Sequence, residues 1–210
     1  MEHLIGSSTA AIPTEILRVQ HVNSFFASGV EMYKYDHREQ RLATVSPEAV
    51  KIGPNWTEDI KTKTKAHYVN LVSRIMLGNR FGHIPMLDFD FYEDAEDVAR
   101  ERLHALLNRL ELPNGFVATS GNGLHYLSMS IITEAGFATM MGELTRAVPH
   151  YPNLDRKWVD WTQDVGFGQL RMTAGGEKTT VPTIVDIHRL RSDAYYRSAS
   201  KYHFGEFDNY

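Results

Sequence analysis

The chain has 210 residues, 42% of them hydrophobic and 23% charged, an ordinary balance for a globular protein with a sizeable core. Its formal net charge is -4, so any contact with nucleic acid must rest on a local basic patch rather than on overall charge. There is no cysteine, which excludes disulfides, zinc knuckles, iron–sulfur clusters and thiol nucleophiles. The opening MEHLIGSSTAAIPTEI lacks the basic and long apolar regions of a signal peptide, and no apolar run approaches the ~18 residues of a membrane span. These features predict a soluble, intracellular (cytoplasmic) protein with no membrane contact.

No repeat, low-complexity tract or separating linker interrupts the chain. It reads as a single domain, with an N-terminal α/β module over 1–80, a core over 81–190 and a tail over 191–210. Residues 57–77 fit a helix, with Ile60, Leu71, Val72, Ile75 and Met76 as its apolar positions. Residues 84–92 are short, apolar and alternating, which predicts a strand. In EDAEDVARERLHALLNRLELPNG, Ala95, Ala99, Leu103, Leu106, Leu107 and Leu110 recur at helical spacing. Acidic residues from Glu93 to Asp97 occupy its first turn and Arg100, Arg102 and Arg109 follow, which suits the helix dipole. Pro113, Asn114 and Gly115 stop it. Residues 116–119 and 124–131 read as strands around the turn SGNG. A second amphipathic helix carries Phe137, Met140, Met141 and Leu144, and strands follow at 168–173 and 181–187. This order gives an α/β (α+β) fold built around one sheet.

The segment MLDFDFY concentrates chemistry. Side chains alternate across a strand, so Asp88 and Asp90 share one face while Leu87, Phe89 and Phe91 take the other. Their alpha carbons stand about 6.5–7 Å apart, near enough for both carboxylates to hold one magnesium or to bridge two ions. The bland reading is a strand with one solvated face. Asp is depleted in strands, and two in so apolar a segment tilt the balance toward function. In SGNGLHY, Gly121 and Gly123 allow positive φ and close backbone approach, as a phosphate-binding turn requires. The N–H groups of residues 120–123 would then face a phosphate, with His125 as a further donor. Asn122-Gly123 is also a strong hairpin signal, and a hairpin can carry such a site.

The order of these motifs resembles the archaeo-eukaryotic primase superfamily, most closely its primase-polymerase branch. An apolar residue followed by D-x-D falls on Leu87, Asp88, Phe89 and Asp90. The small residue, any residue and His of the second motif fall on Gly123, Leu124 and His125. The apolar-Asp of the third falls on Val159 and Asp160, ahead of the segment QLRMTAGGEK. The resemblance covers roughly residues 80 to 180. It implies that Asp88, Asp90 and Asp160 are catalytic and hold Mg2+ or Mn2+. It further implies that Ser120, Gly121, Gly123, His125, Arg171 and Lys178 bind the nucleotide. Many members have Ser where Gly123 stands, which leaves open whether Ser120 supplies a hydroxyl. Asp164 and Asp186 are alternative third ligands; Asp160 is preferred because Arg171 and Lys178 follow it in the family's order.

The implied function is a DNA primase or DNA polymerase, a template-dependent nucleotidyltransferase taking nucleoside triphosphates, with a DNA template and a helicase or other replication protein as partners. A two-metal nuclease and a catalytically silent nucleic-acid-binding module of the same fold are the alternatives. Template contact is offered by the basic run Lys61, Lys63, Lys65, Arg74 and Arg80, which reads equally as a solvated helix face. The tyrosine-rich tail HRLRSDAYYRSASKYHFGEFDNY reads better as an aromatic flap on the core.

Overall fold

Four antiparallel strands form the centre of the protein, and their pleat decides what each face can do. In the computed structural model, residues 32–35, 42–45, 70–77, 80–171, 174 and 179–204 are described. The central sheet has the order β11-β7-β8-β6, from β6 (Met86–Asp90), β7 (Gly115–Thr119), β8 (Gly123–Ser128) and β11 (Thr183–His188). Leu87, Tyr126, Val117 and Asp186 are opposed in register across the four strands, so they share one face. Helix α1 (Glu96–Leu110) covers that face, burying Ala99, Leu103, Leu106, Leu107 and Leu110. Each fully buried leucine contributes about 1.5–3 kcal/mol relative to an exposed one. The opposite face carries Asp88, His125 and Ala118, likewise aligned in register.

The helix begins at Glu96, two residues after Asp94, so Glu93 and Asp94 precede it rather than fill its first turn. It ends with Glu111 in the left-handed region at φ 54°, before Pro113 is reached. Helix α2 (Glu134–Ala147) buries Phe137, Met140, Met141 and Leu144, and the Thr133 hydroxyl caps it by accepting from the Gly136 N–H at 3.1 Å. Helix α3 (Arg156–Val165) follows, and helix α4 (Ser192–Tyr202) packs on α2. There the Tyr202 hydroxyl lies 2.6 Å from both the Leu110 carbonyl and the Glu143 carboxylate. One cluster of buried apolar side chains extends from Leu71 to Phe204.

The remaining described strands form smaller ladders: β1 (Met32–Tyr35) with β2 (Leu42–Val45), β3 (Asn70–Val72) with β10 (Gln169–Arg171), and β4 (Arg74–Leu77) with β5 (Arg80–His83) and β9 (Ile132–Thr133). The strands are therefore divided among several ladders rather than gathered into one sheet. The helix predicted over 57–77 is corrected at its C-terminal end, where residues 70–72 and 74–77 are strands. Leu71, Val72, Ser73 and Ile75 are all buried, so the four-residue spacing of Leu71 and Ile75 reflects burial on every side, not one helical stripe. Residues 57–69, with Lys61, Lys63 and Lys65, lie outside the described residues. Among the described residues no helix is long and apolar enough to cross a membrane.

Candidate active site

Leu87 and Phe89 are completely buried, which anchors β6 and fixes the outward set of its pleat. Asp88 and Asp90 belong to that set; Asp88 is partly exposed and Asp90 exposed. His125 stands opposite Asp88 on β8, with its Nε2 3.7 Å from the Asp88 Oδ1 and its side chain nearly buried. At that distance a protonated imidazole attracts the carboxylate without a formed hydrogen bond. Gly123 stands opposite Asp90, and a β-carbon there would come within 2.7 Å of the Phe89 carbonyl oxygen. The small residue of the second motif thus lets β8 close on the aspartate strand.

The turn SGNG is a hairpin between β7 and β8. The Ser120 N–H and hydroxyl both donate to the Gly123 carbonyl, at 2.8 and 3.2 Å. Those donors close the turn, so the N–H of Ser120 is spent within the hairpin instead of facing a phosphate as the sequence suggested. Gly121 supplies the positive φ, 99°, while Asn122 accepts from the Phe91 N–H at 3.0 Å and ties the turn to the end of the aspartate strand. Arg171 reaches this turn from β10, its guanidinium donating to the Ser120 carbonyl at 3.0 Å and to the Thr180 carbonyl at 2.5 Å. Ser120, Gly121, Gly123, His125 and Arg171 are therefore gathered beside Asp88 and Asp90. Lys178 lies outside the described residues.

The outer edge of β6 is closed by residues 153–155. The Asp90 N–H donates to the Asn153 carbonyl at 2.7 Å, and the Asp155 N–H donates to the Asp88 carbonyl at 3.2 Å. Asp155 also caps α3, its carboxylate accepting from the N–H groups of Lys157 and Trp158. The helix carrying Asp160 therefore starts against Asp88. Asp160 lies five residues further, about 7.5 Å along the axis. Its side chain is 57% exposed and 3.5 Å from the Arg156 guanidinium. Among the described residues, no three carboxylate or histidine side chains are grouped closely enough to hold an ion, so Asp160 is not drawn into a set with Asp88 and Asp90. Asp164 is exposed on the same helix. Asp186 is on the opposite face of the sheet, 3.1 Å from His104 of α1, and does not share a site with Asp88.

Two aspartate carboxylates on one strand, a histidine beside them and a hairpin turn fastened alongside match the first two motifs in both residue and arrangement. A family model described as archaeo-eukaryotic primase 1D-like (AEP-like) matches residues 53–184. The chain is a member of the archaeo-eukaryotic primase-like family. No curated protein and no solved structure matches it. Membership brings a primase-like nucleotidyltransferase fold, in a family whose members generally use divalent metals and bind nucleic acid and nucleoside triphosphates. Of the candidate site residues and their partners, Asp186 alone falls outside the matched span. Asn153 and Asp155, which fasten the edge of β6, were missed by sequence reasoning. The only available signal was Asp155 as a helix cap ahead of Trp158 and Val159.

Proposed function

We propose that this primase-like protein is an active template-dependent nucleotidyltransferase, a DNA primase or DNA polymerase that joins a 3′-hydroxyl to the α-phosphate of a nucleoside triphosphate, breaking the bond to the β-phosphate and releasing pyrophosphate. The observation that carries the reading is the Asp88/Asp90 pair, opposed in register to His125 and Gly123 on the next strand. Hard divalent cations prefer carboxylate oxygens, so this donor set suits Mg2+ or Mn2+ and not a soft metal. Asp88 and Asp90 would hold the ion, with Asp160 as the third carboxylate, brought in from α3 when metal and substrate bind. When bound, the ions would lower the pKa of the attacking hydroxyl and offset charge on the triphosphate.

The protein's own groups do the positioning. His125 donates toward a phosphate oxygen beside Asp88, and the N–H groups of Gly121 and Gly123 lie in the turn along which the triphosphate runs. Arg171 supports this turn through the Ser120 carbonyl and adds positive charge to the same end of the site. Lys178 adds a second cation. The DNA template passes the exposed Asp90 end of β6, and a helicase or other replication protein delivers it.

Labelled nucleotides incubated with the protein, Mg2+ or Mn2+, and either a primed or an unprimed template test the reading. Products longer than the input support it. Shortened strands would make the protein a two-metal nuclease, and unchanged strands with retained DNA binding a silent binding module.

A further inference from the structure

Asn153 belongs to none of the sequence motifs, yet it is completely buried and spends its entire side chain around the end of the aspartate strand. The two hydrogens of its Nδ2 are shared among three acceptors, the carbonyls of Asp90 at 3.0 Å and Phe91 at 2.9 Å and the Asp94 carboxylate at 3.0 Å. Its Oδ1 accepts from the Arg102 guanidinium at 3.1 Å. Its own carbonyl accepts from the Asp90 N–H at 2.7 Å. Three acceptors surround one end of the amide and a cation the other, so its orientation is fixed by chemistry. Arg102 also pairs with Asp94 at 2.7 Å, which locks the bracket from behind.

We propose that Asn153 is a positioning residue for the metal site, holding the Asp90 end of β6 so that the two carboxylates are ready for a divalent ion. The role presupposes that Asp88 and Asp90 bind that ion. Without metal the two carboxylates repel each other, and a strand end on the outer edge of a sheet relieves that repulsion by peeling away. Residues 153–155 supply backbone pairing to this edge, and the Asn153 amide carries the hold on to the carbonyls of Asp90 and Phe91, where the main-chain ladder stops. Preorganisation of this kind appears as metal affinity, because the energy of straightening the strand is otherwise drawn from ion binding.

Manganese binding to the full chain, read from the paramagnetic resonance signal of free Mn2+, tests the inference beside primer extension over a range of Mn2+ concentrations. Asn153→Ala should raise the half-saturating Mn2+ concentration roughly 10-fold, with much of the extension rate recovered at saturating metal. Arg102→Gln removes the guanidinium from the bracket at a half-exposed side chain. It should shift the same midpoint by about 2–3-fold in the same direction and carries the test if Asn153→Ala does not fold. A lowered melting temperature with an unchanged Mn2+ midpoint in the folded variants would make Asn153 merely structural and overturn the inference. If the wild-type chain itself binds no Mn2+, the metal site fails first, and this role falls with it.

Discussion

Asp88 and Asp90 are two residues apart on one strand, but the fold surrounds them differently. Asp88 is flanked by His125, and its carbonyl accepts from the start of α3; Asp90 is exposed at the strand's end. A substitution at Asp90 therefore separates chemistry from folding more cleanly than one at Asp88. Asp90→Asn keeps the side chain's shape and removes the charge that attracts a cation, so nucleotide addition should fall by orders of magnitude. Loss of one of two like charges relieves repulsion in the metal-free state, so the variant should melt no lower than the wild type. Added Mn2+ should raise the wild-type melting temperature and raise the variant's much less. Full extension by Asp90→Asn would remove Asp90 from the site and with it most of the case for a polymerase. Asp88 and Asp90 were legible as a pair because strand alternation fixes their shared face from sequence alone, whereas His125 was linked to them only by the motif order. Asp160 was legible only by its place in the motif order. No local periodicity reveals how far its exposed helical position stands from a strand ligand, and Asn153 had no sequence signal because its partners lie about sixty residues away.

Among the elements, the hairpin and the edge strand form one unit whose spacing is set by glycine. A methyl at position 123 would meet the Phe89 carbonyl oxygen at 2.7 Å and the Asp90 alpha carbon at 3.1 Å, both backbone atoms that no rotamer change can move aside. Gly123→Ala should therefore cost about 1–3 kcal/mol and push β8 away from the aspartates, lowering both melting temperature and extension. Gly166→Ala is the control. That site has open space and a φ of +80°, so it should cost backbone strain alone and leave extension per folded molecule unchanged. Equal effects of the two substitutions on extension would show that the close approach at Gly123 has no bearing on the site. The elements that were legible share strong, one-sided patterns: α1 through its leucine stripe and charge order, β6 through its alternation. The turn beginning at Ser120 was legible as a hairpin, though its positive φ falls at Gly121 and not at the Asn-Gly corner. Strand β3 and the start of β4 were misread because Leu71, Val72, Ser73 and Ile75 are all buried, which hides the difference between periods of two and 3.6. Helix α3 was left unassigned because it buries only Trp158, Val159 and Thr162.

Across the whole molecule, two buried histidines tie stability to pH although neither touches the candidate site. His83 stacks on Phe137 at 3.9 Å and meets the Ser73 hydroxyl at 3.3 Å; burial, and then the charge of Arg74, push its pKa down to about 4. His188 bonds the Leu112 carbonyl at 3.1 Å beneath α1, and burial likewise lowers its pKa to about 4, against the opposing pull of that hydrogen bond. In the unfolded chain both titrate near 6.5, the ordinary value. Between pH 6.5 and 4 the unfolded state therefore binds more protons than the folded state, so folding stability is complete above 6.5 and is lost as pH falls through that window. Each histidine can contribute a slope of at most about 1.4 kcal/mol per pH unit, and up to about 3 kcal/mol in all. Urea denaturation at steps from about pH 7.5 down to pH 5 should show a falling midpoint below about 6.5, before the carboxylates begin to titrate. His83→Phe keeps a ring against Phe137 and removes one titrating group, so the slope should fall to about half. A flat profile in the wild type would mean that the two imidazoles are charged and solvated when folded, which contradicts their burial.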